Sequence, residues 1–231
     1  MAIPVSAGNL ASDRRKAAEF SRGISSNVIY SAIERVFQDR DLTGRVLDYG
    51  AGAGGLARRL VALDRFESVS AADIMPDPGD MGPVEWIEQD LNEPIQGYDG
   101  AFDVVVSAEV IEHLENPRFT MREIFRLLRP GGTAIVTTPN NESWRSLINL
   151  LIRGHFAHFT DLSYPAHITA LLRKDFTRIF QETTLATPTF HFTNHGGIPG
   201  KPHIPWQRIS FGMLRGVRYS DNIIAVAQKR A

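Results

Sequence analysis

Between Arg45 and Arg59 the chain reads RVLDYGAGAGGLARR, a short apolar run that meets Asp48 and then Gly50, Gly52 and Gly54 at alternate positions. Glycine has no Cβ and tolerates positive φ, so a strand breaking into such a turn and re-entering a helix brings bare backbone against a ligand. Asp48, two residues before the first glycine, places a carboxylate where it can accept from a ligand ammonium or a water. Gly50, Gly52 and Gly55 also satisfy G-x-G-x-x-G, so the turn alone leaves a dinucleotide open. Asp48 weighs against that, because a carboxylate repels the phosphate a dinucleotide would bring. Asp73, closing the stretch SVSAAD, falls where a ribose diol needs a bidentate acceptor, and either kind of nucleoside would use it.

Chemistry of a different kind gathers in EVIEHLENP, where Glu109, Glu112 and His113 stand at i, i+3 and i+4. On a helical turn these positions share one face, so two carboxylates and an imidazole converge. They offer the oxygen and nitrogen ligands that Mg²⁺, Mn²⁺ or Fe²⁺ take. A structural reading has the glutamates solvated or capping a helix N-terminus, where negative charge is favourable. Six of the seven histidines follow later: His155, His158, His167, His191, His195 and His203. An imidazole with a pKa near ~6.5 is suited to accept a hydroxyl proton, although most lone histidines are surface or packing residues. His167 leads as base or ligand from its place just before a helix, and His158 follows, with Asp161 close enough in sequence to orient it.

The elements that must hold these groups read as alternating strands and helices, which argues for a doubly wound, mostly parallel α/β sheet. Strands are expected near residues 46–49, 68–72, 84–87, 102–107 and 133–138, with helices near 55–63 and 118–128. Arg129-Pro130-Gly131-Gly132 is a stop-and-turn signal before the fifth strand. Residues 12–39 read as helical, with Ile24, Val28, Ile29, Ala32, Ile33, Val36 and Phe37 as an apolar stripe. They are expected to form an N-terminal helical cap over residues 1–40, ahead of a single domain over 41–231. Further helices are expected at 142–153 and 173–183, closing strands at 190–192 and 223–227, and a loop at 196–202. The helix ESWRSLINLLIR has Trp144, Leu147, Ile148, Leu151 and Ile152 available to one apolar face, as a lid on the cleft or as a helix resting at a lipid boundary.

A chain of 231 residues suits one α/β domain that buries roughly 70% of its unfolded surface. No apolar run approaches the ~20 residues of a membrane span. MAIPVSAGNLASDRRK has its basic residues after the mild stretch, the wrong order for a secretory signal, so a cytoplasmic location is expected. With no cysteine, disulfide and thiolate chemistry are excluded. The net charge of −1 hides an asymmetry: residues 41–130 carry 17 Asp/Glu against 8 Lys/Arg, and residues 131–231 carry 5 against 11. The cationic part suits an acceptor bearing phosphate or an anionic membrane surface, unless it is only a solvated basic face.

Five pieces in order, VLDYGAGAGG, AADIMP, WIEQDLNEP, FDVVVSAEVIEHLENP and REIFRLLRPGGTAIVTTPN, resemble the class I S-adenosylmethionine (SAM)-dependent methyltransferases. The resemblance covers about residues 44–138, with weaker support to the C-terminus. It implies a Rossmann-like, seven-stranded sheet with the last strand antiparallel. It also implies that Gly50, Gly52 and Gly54 line the methionine end of SAM, that Asp73 holds the ribose hydroxyls, and that Asp90 with Leu91 flanks the adenine. Asp48, Ala51, Ile74, Ala108 and Glu109 belong to the same expected cofactor site.

The E-x-x-E-H pattern is similar to that of the O-methyltransferases of ubiquinone biosynthesis and the small-RNA terminal 2′-O-methyltransferases, where the trio and a later histidine are associated with a divalent metal. By that resemblance Glu109, Glu112, His113 and His167 are the ligands of a Mg or Mn ion, and His113, His158 and His167 are the catalytic candidates. Acceptor-binding insertions are expected near 140–170 and 193–220. The function implied is O-methylation of a hydroxyl on a small or carrier-linked acceptor, a sugar, glycoconjugate or phenol. FGMLRGVRYSDNIIAVAQKR is similar to the ends of methyltransferases of bacterial glycan and natural-product pathways. RNA 2′-O-methylation is an alternative, opposed by the near-neutral charge and the lack of a dense Lys/Arg cluster, so nucleic acid is not the expected partner. A non-catalytic SAM-binding regulator is another, and an NAD-dependent oxidoreductase fits the later motifs least. Thr184-Leu185 stands where many relatives have Gly-Phe, so the approach to the sixth strand is expected to differ.

Overall fold

Each central strand sends successive apolar side chains to opposite faces of one sheet, and two separate cores result. Leu47, Val105 and Val136 lie in one core, and their neighbours Val46, Val104, Val106 and Ile135 lie in the other. Strands covered on both faces read as near-continuous apolar runs, as FDVVVSA does. The computed structural model describes residues 12–16, 18–19, 25–183 and 185–230; Ile24 and Thr184, and with them part of the expected cap and the departure at 184, lie outside.

The strands are β1 (Gly44–Tyr49), β2 (Phe66–Asp73), β3 (Val84–Glu88), β4 (Phe102–Ala108), β5 (Leu128–Pro139), β6 (Thr189–Phe192), β7 (Gly197–Ile198), β8 (Lys201–Pro205) and β9 (Asn222–Gln228). Seven of them form the sheet in the order β3-β2-β1-β4-β5-β9-β6. Pairings among β1 to β5 are parallel, and β9 runs antiparallel to both neighbours, as expected. The order reverses direction at β1, between β2 and β4, so the crevice beyond the carboxyl ends of β1 and β4 is where such a sheet takes a ligand.

Helices α1 (Asn27–Asp39) and α2 (Gly55–Ala62) cover one face, and α3 (Pro117–Leu127) and α5 (Arg173–Glu182) cover the other. Helix α4 (Trp144–Arg153) lies between β5 and α5 in the chain. The expectation of one helix over 12–39 is corrected: Ser25 and Ser26 interrupt it, and the Ser26 hydroxyl accepts from the Ile29 N–H. Ile29, Ile33, Val36 and Phe37 pack into the sheet core, so α1 is a structural layer. Its first turn, Val28 to Tyr30, also borders the cleft, together with Asp13, Arg14 and Ser25 before it.

Two further expectations change, and the α4 alternatives stay open. Arg129–Gly132 does not turn the chain but bulges within β5, where the register with β4 shifts and Gly131 takes φ +79°. The stretch 196–202 forms part of the hairpin β7–β8 rather than an open loop, with Gly200 at φ +78° in the turn. Helix α4 buries only Ser146, so its apolar face is not packed into either core. On the opposite side of the molecule's economy of contacts, α3 is tightly fixed. Buried Glu123 accepts from the Ile95 N–H at 2.8 Å and from Arg126 Nε and Nη2 at 2.9 and 2.6 Å. Glu123→Ala leaves the buried Ile95 N–H and Arg126 Nε without their acceptor, while Arg126 keeps the Ile95 carbonyl and Asp99, and should lower stability by about 1–3 kcal/mol. Urea unfolding checks this, and a midpoint unchanged at constant slope would refute it.

Candidate functional site

A cavity of about 790 Å³ opens at the switch point, within the ~300–1,000 Å³ typical of small-molecule sites. Its floor is the glycine turn. Gly50 takes φ +90° and Gly52 φ +54°, and a Cβ on Gly50 would collide with the Val110 side chain. Gly50, Ala51 and Gly52 line the cavity. Gly54 does not; at φ +76° it caps α2, and a Cβ there would meet the Met81 side chain. The expected role of Gly54 against the ligand is therefore replaced by a helix-capping one.

Asp73 ends β2 with its carboxylate accepting from the Gly52 N–H at 2.7 Å and the Met75 N–H at 2.9 Å. Each oxygen retains a lone pair for a further donor. Burial raises its pKa, and the backbone donors of Met75 and Gly52 oppose the rise. Asp48 is fully buried at the cavity wall, and neither of its oxygens has a hydrogen-bond partner of acceptable geometry. Burial first, then the charge of Asp73, push its pKa up to about 7. Ile74, Asp90 and Leu91 continue the wall. Asp90 accepts from Asn92 and from Arg14 Nη1 at 2.8 Å, and Arg14 also grips Glu115 with two bonds of 3.0 and 2.9 Å. Burial opposes the charge on Asp90, but these donors outweigh it and hold its pKa down. Arg14 thus holds residues 12–16 over the cleft; nothing in DRRK marked it in advance.

At the other end of the cavity, Ala108 leads into residues 109–115, which form an irregular turn instead of a helix. Glu109 has φ +57°, which turns its carboxylate to the Thr137 hydroxyl and the Asn222 amide, both at 2.7 Å. It is thereby separated from the group the i, i+3, i+4 spacing implied. Glu112, His113 and His167 do converge, each offering a ligand atom within 4.8 Å of the others. Glu112 is fully buried; one oxygen accepts from Thr138 at 3.1 Å and the other, Oε1, has no partner. Burial raises both carboxylates, Glu109 to about 7, and the charge of Glu109 raises Glu112 further.

The rings of His113 and His167 meet edge to face, 4.8 Å apart. His167 Nδ1 lies 2.7 Å from the His158 carbonyl, which can only accept, so Nδ1 carries the proton and Nε2 keeps its lone pair. Burial lowers the pKa of all three histidines, to about 4 for His113, helped by His167, and to about 4 for His158, helped by Arg145. His158 faces Arg145, itself paired with Asp221 at 2.8 Å, while Asp161 is exposed; the expected Asp161 orientation of His158 is replaced by this one. Arg145, Asp221, Asn222, Thr137 and Thr138 were not singled out in the sequence, because they reach the site only through tertiary packing. Of the remaining histidines only His195 borders this cavity.

A family profile described as a methyltransferase domain matches residues 20–187. The chain belongs to this methyltransferase family. A ubiquinone biosynthesis O-methyltransferase of Xanthomonas oryzae pv. oryzae is 30% identical over 152 residues, covering 58% of this chain and 62% of that protein. The chain therefore matches less than two thirds of that relative's length. Among solved structures, a SAM-dependent methyltransferase of Archaeoglobus fulgidus superposes with a TM-score of 0.62 at 19% identity, covering 91% of this chain and 97% of that one. The Burkholderia thailandensis 1,6-didemethyltoxoflavin-N1-methyltransferase gives 0.62 at 15%, covering 100% and 94%. These likenesses show the fold alone.

The cofactor of a SAM-dependent methyltransferase fits what the cavity presents. Asp48 offers two unpartnered oxygens to a cation, Asp73 offers spare lone pairs to a diol, and the Gly50 backbone lies bare where Val110 excludes a side chain. The raised pKa of Asp48 means that the folded protein binds its proton more tightly than the unfolded chain. Its contribution to stability is therefore present at low pH and lost as pH rises from the ordinary aspartate value to about 7. Asp48→Asn should flatten this decline and make the ligand-free methyltransferase more stable above neutrality, while weakening SAM binding ~10-fold or more. Thermal melts against pH and calorimetric titration test both halves; an unchanged affinity would remove Asp48 from the site.

Proposed function

We propose that this methyltransferase acts on a hydroxyl of a small or carrier-linked acceptor, with His167 Nε2 as the proton acceptor. The observation that carries the reading is the tautomer: the His158 carbonyl holds the proton on His167 Nδ1 and leaves Nε2 with its lone pair, on a ring that converges with Glu112 and His113. When bound, SAM supplies a methyl group on a positively charged sulfur, already joined to a good leaving group. What remains for the protein is to orient the acceptor oxygen and take its proton. The low pKa of His113 and the lowered pKa of His167 keep both rings neutral at pH 7, so the base is available without prior deprotonation. A hydroxylated sugar, glycoconjugate or phenol meets these requirements; the ubiquinone biosynthesis O-methyltransferases support an oxygen acceptor by their names.

His167→Ala should lower kcat by ~10²–10⁴ while leaving SAM affinity unchanged. The rate should fall on acidification only below the ordinary imidazole pKa, since burial has lowered that of His167. An acid limb at about 7 would transfer the role to the Glu109–Glu112 pair. Methyl transfer to amines and not to any hydroxylated acceptor would sink the oxygen assignment.

A second reading gives the same cluster a divalent cation, Mg²⁺ or Mn²⁺, held by Glu112, His113 and His167; the convergence of three donors and the unpartnered Glu112 Oε1 favour it. Glu109 takes no part in it, being committed to Thr137 and Asn222. Calorimetric titration with Mn²⁺ decides: uptake by the wild type that Glu112→Ala abolishes supports the cation, and no uptake by the wild type excludes it as a resident ion.

A further inference from the structure

Helix α4 carries an apolar face that the fold leaves uncovered. Leu151 is 85% exposed and Ile152 76%, and in the loop that follows Leu162 is 87% exposed. That loop has two sides: Ser163, Ala166 and His167 line the cavity, while Leu162 and Tyr164 between and beside them are turned to solvent. The second insertion is built alike, with Phe211 94% and Met213 79% exposed. The two insertions are joined, because α4 touches β7 and the turn Val217–Tyr219, and the Arg218 guanidinium sits over the Trp144 ring at 5.3 Å. Exposed apolar side chains gathered on two joined insertions mark an interaction surface.

Charge selects the partner. Residues 196–220 contain Lys201, Arg208, Arg215 and Arg218 and no acidic residue, and residues 144–174 contain Asp161 as their one acid. Arg153, Lys174, Lys201 and Arg208 are exposed and make no ion pair among the described residues. A two-fold contact with a second copy would set these cations against their own images. An anionic bilayer accepts both features at once: apolar side chains enter the acyl boundary and cations stay at the headgroups. We propose that α4, the loop after it and the 206–216 segment dock on an anionic lipid surface, with the acceptor mouth at the membrane. No helix among the described residues is long and apolar enough to cross a bilayer, so the proposed contact is interfacial.

Sedimentation of the full chain with phosphatidylcholine vesicles, with and without phosphatidylglycerol, tests it. Binding is expected to the phosphatidylglycerol vesicles only, to weaken with salt, and to fall ~10-fold or more in the double variant Leu151→Ser, Phe211→Ser. Both side chains are exposed, and SAM titration reports that the variant is folded. Three results would overturn the proposal: no binding at low salt, equal binding by wild type and variant, or a concentration-dependent dimer in ultracentrifugation that the same substitutions dissolve. None of these readouts uses methyl transfer, so failure here and failure of the hydroxyl reading are separately visible.

Discussion

The hydrogen bond from the Gly52 N–H to Asp73 fixes the geometry on which the rest of the site depends. It ties the turn leaving β1 to the end of β2, and the Gly50 and Ala51 N–H groups reinforce it by donating to the Ala72 carbonyl. The turn can make these bonds only in the left-handed region, and only if no side chain occupies the space of Val110. Once it is closed, the backbone forms one wall of the cavity and Asp48 and Asp73 lie behind it. The parallel sheet supplies the rigidity: β1 is paired on both sides, and neither strand end can move without breaking the ladder.

Buried charge governs the two ends of the cavity in the same way. Asp48, Glu109 and Glu112 are carboxyls taken from water with few compensating donors, and burial raises each of them. His113, His158 and His167 are driven the opposite way, towards neutrality. A site prepared like this carries less charge than its residue types suggest when nothing is bound. It gains most from a cationic ligand, because a positive charge restores the ionised carboxylate without the solvation that burial removed. The preference for a positively charged sulfur compound over a dinucleotide phosphate follows from that balance, and Asp48 carried it in the sequence.

What the sequence made legible was what depends on short-range rules. Alternation in β1, β4 and β5, the glycine turn and the placement of Asp73 depend on residue types a few positions apart, and the fold reproduces them. Reading 109–113 as helical failed because tertiary bonds decided it. The Thr137 hydroxyl accepts the Glu109 N–H and donates to its carboxylate, which stabilises a left-handed residue that helical spacing cannot anticipate. Orientation of His158 failed for a related reason: Arg145 and Asp221 are 13 and 63 residues away along the chain, whereas Asp161 is three. Proximity in sequence was a poor guide where a loop folds back on a helix.

The α4 helix shows the limit of periodicity most clearly. Its apolar residues recur at helical spacing, and the helix forms, with Ser143 capping its start and Gly154 at φ +79° ending it. Period and caps report that a face exists; they do not report what covers it. In α1, α3 and α5 the sheet covers the face, because those helices follow or precede strands with short connections and fall back upon them. Helix α4 follows the strand β5 at the cavity mouth, where both sheet faces are already occupied by other helices. The apolar face is consequently left at the rim, in the region least constrained by the core. Asp48 and Asp73 stand on strand ends held by the ladder, whereas α4 and the loop after it stand on an insertion outside it, so a sequence that declares the one can leave the surroundings of the other undeclared.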